Sequence, residues 1–116
     1  MPTITTSQLQ DLQDGISASL QTLQKAYALT SDPTESQTLA NQTQDLAGQM
    51  AQMEKTLFAQ QTLDAETTVQ AAFTSAEGLT AQLKAMAGNL EKVSEVISIA
   101  AKLVAAVAQV VVKLPV

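Results

Sequence analysis

The sequence predicts an all-α fold, an antiparallel four-helix bundle, on three observations. Apolar residues recur at three- and four-residue spacing along nearly the whole chain, helix-start signals interrupt that rhythm, and no stretch alternates with the two-residue period of a strand. The chain has 116 residues, the length of one domain spanning 1–116, and enough to bury a core without disulfide staples. Hydrophobic residues make up 46%, which places the chain among globular proteins and not disordered ones.

The first helix follows from Leu9, Leu12, Ile16, Leu20, Leu23 and Tyr27, which fall on one face of a 3.6-residue period. Thr5, Thr6 and Ser7 are N-cap residue types, and Gln8 or Gln10 can close a capping box. Gly15 lies inside this helix at a cost of about 1 kcal/mol relative to Ala. The ring of Tyr27 is expected to be buried and its hydroxyl wet.

The stretch TSDPTES ends the first helix and starts the second. Asp32 suits the N-cap, Pro33 the first helical position and Glu35 the third, and Pro33 disfavours helical geometry at Asp32. Leu39, Thr43, Leu46, Met50, Met53 and Leu57 then give a heptad seam, in which flexible Met side chains fill the core. A weaker break at QTLDAET offers Thr62 or Asp64 as the cap of a third helix.

From Val69 the rhythm runs without a slip through Ala72, Ala76, Leu79, Leu83, Met86, Leu90, Val93, Ile97, Ala100, Val104, Val107, Val111 and Leu114. Two readings compete. A turn at Gly88-Asn89 gives four helices over 6–30, 33–62, 65–87 and 89–113, the dimensions of a four-helix bundle. The alternative is three helices, the last a continuous coiled-coil helix from about Ala65 to Lys113. The four-helix reading is preferred.

The last segment is the most apolar. On a helical wheel Glu91, Glu95, Ser98, Lys102, Gln109 and Lys113 gather in a stripe about 60° wide, opposite the seam. A constitutive membrane span wants roughly 20 apolar residues without a central charge, and Lys102 falls within the run. The segment therefore reads first as a buried or oligomer-forming helix. Its expected interface is the apolar seam of Leu79, Leu83, Met86, Leu90, Val93, Ile97, Ala100, Val104, Val107, Val111 and Leu114. Were it to enter lipid, Val96, Ile99, Leu103, Val107 and Val110 would lead.

Composition removes several functions. Net charge is −5 and every basic residue is Lys, so a basic face and bidentate Arg contacts are both missing and nucleic-acid binding is not expected. With no Cys there is no thiolate nucleophile, disulfide framework or Cys-based zinc site. With no His the ordinary general base near neutral pH is absent, and no Ser or Thr has a base at a motif spacing, so its hydroxyls are expected to be solvated or capping. The acid pairs Asp11/Asp14, Asp64/Glu66 and Glu91/Glu95 lack the Glu-x-x-His partners of a bundle metal site, and the four glycines form no phosphate-binding loop. No catalytic residue, cofactor, metal or small-molecule substrate is expected.

The N-terminus has no basic region followed by an apolar one, so the expected location is the cytoplasm, or outside it by a route without a cleaved signal. Three functional readings follow, in order. The first is a non-catalytic interaction or assembly protein, a homo-oligomer or the partner of another helical protein, acting through its C-terminal helix. The second is a membrane-active protein whose Ala/Val segment inserts into lipid or meets a membrane surface; its low charge and Gln/Thr/Ser/Ala richness are similar in composition to bacterial helical proteins secreted without a signal, such as type III secretion components. The third, resting on size and acidity alone, is an immunity- or inhibitor-type partner.

Overall fold

The computed structural model is a bundle of four helices, α1 (Thr6–Leu29), α2 (Pro33–Phe58), α3 (Thr67–Met86) and α4 (Val93–Val111), about 46 Å long and 21 by 20 Å across. It describes the backbone of residues 3–58, 63–64, 67–88 and 93–112, and the side chains of 4–55, 69–88 and 93–112.

The start signals act as the sequence predicts. Thr5 caps α1: its hydroxyl accepts from the Gln8 amide at 3.2 Å, and the Gln8 side chain accepts from the Thr5 amide at 2.8 Å, a complete capping box. The chain leaves α1 at Thr30, and the Asp32 carboxylate accepts from the amides of Thr34 (2.8 Å) and Glu35 (3.4 Å) at the start of α2. Thr30 closes this corner by donating to the Glu35 carboxylate at 2.6 Å.

Side-chain contacts fix the direction of each helix. The Gln42 amide donates to the Ile97 carbonyl and the Gln49 amide to the Val104 carbonyl, both across a separation of 55 residues, so α2 and α4 run parallel. Gly15 meets Thr80 and Thr22 meets Leu83, so α1 and α3 also run parallel. Chain direction thus alternates along the sequence, giving two antiparallel hairpins, α1–α2 and α3–α4, laid side by side. Around the bundle the order is α1, α2, α4, α3, with α1 and α4 touching across a diagonal.

That order sets α2 and α3 on a diagonal. Between them in sequence lies one strand of a two-residue antiparallel ladder, β1 (Thr3–Ile4) with β2 (Leu63–Asp64), which pairs Thr3 with Asp64 and Ile4 with Leu63. Ile4 is buried and joins the core. A pair this short has no periodicity to read, and the sequence gives no sign of it.

The continuous helix from about Ala65 to Lys113 does not form. Ala87 and Gly88 make a turn after α3, with the Ala87 amide donating to the Lys84 carbonyl at 3.2 Å, and α4 folds back onto α3. The heptad phase survives the turn, but a single 49-residue helix would leave the apolar face of α4 unburied within the chain, whereas the fold-back seals Val96, Ala100, Leu103, Val107 and Val110. The expected positions 59–62, 65–66, 89–92 and 113, and with them the capping roles of Thr62 and Asn89, lie outside the described residues.

Leu9, Leu12, Ile16 and Leu23 of α1, Leu39, Leu46 and Met53 of α2, Val69, Phe73, Ala76 and Leu83 of α3 and the five sealed α4 residues share one core. Each such large side chain stabilises the fold by roughly 1.5–3 kcal/mol relative to exposure. Two expectations are corrected here. Tyr27 is 53% exposed, because α1 ends two residues later and no helix covers its ring. Ser19, Thr22 and Thr80 are buried hydroxyls, neither solvated nor capping the start of a helix; they face the contact between α1 and α3.

Candidate functional site

The feature that stands out chemically is α4 with the two helices that hold it. It has 19 residues and an 18-residue window of mean hydropathy 1.7, long and apolar enough to cross a membrane by length and composition, yet 33% of that window is buried inside the bundle. Ser94, Glu95, Ser98, Ala101, Lys102, Ala105 and Gln109 form its outward face. Lys102 sits in mid-helix on that face, where its charge stays wet.

The structure redistributes the expected seam. Leu83, Ala100 and Val107 are fully buried, while Leu79, Met86, Val93, Ile97, Val104 and Val111 are half-buried; Leu90 and Leu114 lie outside the described residues. The five residues expected to lead into lipid are better covered: Val96, Leu103, Val107 and Val110 are sealed in the core and Ile99 is half-buried. At about 100° per residue the buried face of α4 is turned by roughly 70° from the heptad seam. Heptad counting assumes one partner helix. Here α4 serves both α2 and α3, and its centre of burial lies between them.

The α2–α4 contact is a polar ladder. Gln42 Nε2 lies 2.9 Å from the Ile97 carbonyl and Gln49 Nε2 3.1 Å from the Val104 carbonyl, one heptad apart on both helices. Both carbonyls lie in the body of α4, where helix geometry already pairs them with amides four residues on. The Gln bonds are therefore second bonds to satisfied acceptors. Meanwhile Gln42 Oε1 and Gln49 Oε1 are buried without a partner. Each amide bond contributes about 0.5–1.5 kcal/mol, and each stranded oxygen costs about 1–3 kcal/mol, so the ladder adds little or nothing to stability. It specifies register without strengthening the contact. Glutamine at these positions reads in sequence as an ordinary surface residue, and only the helix packing reveals where it points.

The α1–α3 contact is built differently. A Cβ on Gly15 would lie 2.7 Å from Thr80 Oγ1 and 3.0 Å from its Cβ, so only Gly permits this approach. Thr22 Oγ1 donates to the Leu83 carbonyl at 2.8 Å. That carbonyl lies in the last turn of α3, and the Ala87 amide that would have met it bonds to Lys84 instead, so α1 supplies the C-terminal cap of α3.

Other surfaces offer less. Gln24, Tyr27, Gln37, Asn41, Thr43 and Gln44 surround an open groove of about 450 Å3 between α1 and α2, whose surface is mostly the apolar parts of these uncharged side chains and Ala40. Among the described residues no group of three or more acidic side chains is placed to hold a metal ion. Asp11, Asp14 and Glu95 are exposed, while Glu91 and the side chains of Asp64 and Glu66 lie outside the described residues. Comparison with family models, with curated proteins and with solved structures finds no match.

Proposed function

We propose that this chain is a non-catalytic contact protein that assembles with its own kind through α4. A single observation carries the reading: the most apolar helix of the molecule has a third of its 18-residue apolar window fully buried by its own chain, and other apolar residues of it stay partly exposed. Val93, Ile97, Val104 and Val111 form a half-open apolar line along it. A stable interface buries about 800 Å2 on each partner, of which this line and its flanking Ala residues supply the apolar centre. The lack of His and Cys supports a role without chemistry of its own.

The test is Val104→Glu. Val104 is half-buried, so the substitution charges the contact line without placing a carboxylate in the core. Wild-type protein is expected to show a solution mass above the monomer by sedimentation or light scattering. The variant is expected to return to monomer with unchanged helical circular dichroism. A wild-type chain that stays monomeric at high concentration sinks the reading.

A second reading rests on the length of α4, about 28 Å at 1.5 Å per residue against a hydrocarbon core of about 30 Å. In it α4 leaves the bundle for lipid. Dye release from vesicles that vanishes when the residues after Ser98 are deleted supports it, and intact vesicles across pH and lipid composition exclude it. Either role suits the cytoplasm or export without a cleaved signal.

A further inference from the structure

We propose that the bundle opens along the α2–α4 ladder, that Gln42 and Gln49 set the rate of this opening, and that a second copy of the chain fills the opened seam. The inference rests on the self-assembly reading and adds a route by which assembled copies exchange.

Three observations converge. The two Gln side chains hold α4 through second bonds to carbonyls that α4 already satisfies, so α4 leaves α2 without exposing an unpaired carbonyl of its own. The two Gln oxygens are buried and unpartnered, Gln42 on a residue only 7% exposed, so opening lets water reach acceptors that the closed state leaves stranded. The α3–α4 contact is the most extensive between any two helices, so α4 stays against α3 as it leaves α2, and the two hairpins swing apart on the α1–α3 joint.

The ladder also identifies its occupant. It pairs two carboxamide groups one heptad apart on α2 with two carbonyls one heptad apart on α4, in parallel. A second copy presents the same two carbonyls in the same register and remakes both bonds, which is the condition for exchanging identical elements between protomers. Because the contacts are the same within and between chains, the ladder governs how fast copies exchange far more than how many are assembled.

The experiment uses full-length protein. Isotopically labelled and unlabelled copies are mixed, and native mass spectrometry follows the mixed species for wild type, for Gln42→Leu/Gln49→Leu and for Gln49→Ala. The Leu pair replaces stranded oxygens with apolar surface that prefers the closed seam, so mixing should slow about tenfold while the final assembled fraction stays near that of wild type. Gln49→Ala empties the seam and should speed mixing by a similar factor. The opposite signs keep the test decisive if one variant folds poorly. Mixing rates indifferent to both changes overturn the inference and leave self-assembly through a closed surface standing. Wild-type protein that never assembles removes both. A monomer that instead releases dye from vesicles shows that lipid, not a second copy, takes the opened seam, and overturns the occupant.

Discussion

The bundle has two parallel helix contacts across the boundary between its hairpins, and they solve one problem in opposite ways. Between α1 and α3 the backbones approach through Gly15, and the buried hydroxyls are used up: Ser19 donates to the Gly15 carbonyl, Thr80 to Glu77 and Thr22 to the open end of α3. Between α2 and α4 long carboxamides span the gap, bond to carbonyls that need nothing and strand an oxygen each. Polar atoms in a core specify a contact in both cases. They hold it firmly only where every one of them is satisfied. One side of the molecule is built as a fixed joint and the other as a releasable one, and the releasable side carries the most apolar helix.

The largest blow to this contrast falls on the fixed side. Gly15→Val drives two methyl groups into Thr80, where even a Cβ is too close, and overpacking of this kind costs about 2–3 kcal/mol. The loss should appear as a lower urea midpoint at unchanged slope. Thr80→Ala removes the nearest hydroxyl and should return part of the loss, a coupling of about 1 kcal/mol in a double-mutant cycle. Additive effects would mean that α1 and α3 do not meet here.

Thr22→Val keeps the shape and deletes the hydroxyl. The Leu83 carbonyl then loses the donor that α1 supplies, at a cost of about 1–2 kcal/mol. Hydrogen exchange in the last turn of α3 should quicken with it, because the cap is local. An effect spread evenly over the bundle, with no preference for α3, would contradict the capping role.

How much of this was legible in the chain divides along the same boundary. The four helices were, because each has an apolar period, and Thr5 and Asp32 cap where their residue types say they do. The two-residue ladder at the end of the bundle was not, being too short for any period. The faces of α1 and α4 were displaced: the sequence nominates Leu20 and Tyr27 for the core, but packing sets Leu20 at its edge, leaves Tyr27 exposed and brings in Ser19, Thr22 and Ala26. Hydrophobicity marks a helix that has a buried side. It does not mark a contact made by small or hydrogen-bonded polar residues, and both parallel contacts between the hairpins contain such residues. Gly15 appeared in the sequence as a cost, and its benefit lies on another helix 65 positions away.

On the releasable side a loss of polarity should be a gain. Gln42→Leu/Gln49→Leu removes two stranded oxygens and leaves both α4 carbonyls paired within their helix, so stability should rise by about 1 kcal/mol. Calorimetry would show a higher midpoint. A fall would mean that the amide bonds outweigh their unsatisfied halves, and the contrast between the two joints would disappear.

The smallest change gives the sharpest comparison, because one substitution made at two sites changes sign. Gly48 lies on the exposed face of α2 with nothing within 4 Å of where a Cβ would stand. Gly48→Ala therefore collects only the helix-propensity gain, about 0.5–1 kcal/mol. Gly15→Ala gains the same propensity and unfolded-chain terms and meets Thr80 Oγ1 at 2.7 Å, so it should end net destabilising. Denaturation of the two single variants under one set of conditions isolates the packing term, since the backbone terms cancel between them. If both stabilise, Thr80 yields to the methyl group, and the joint between α1 and α3 is no tighter than the one between α2 and α4.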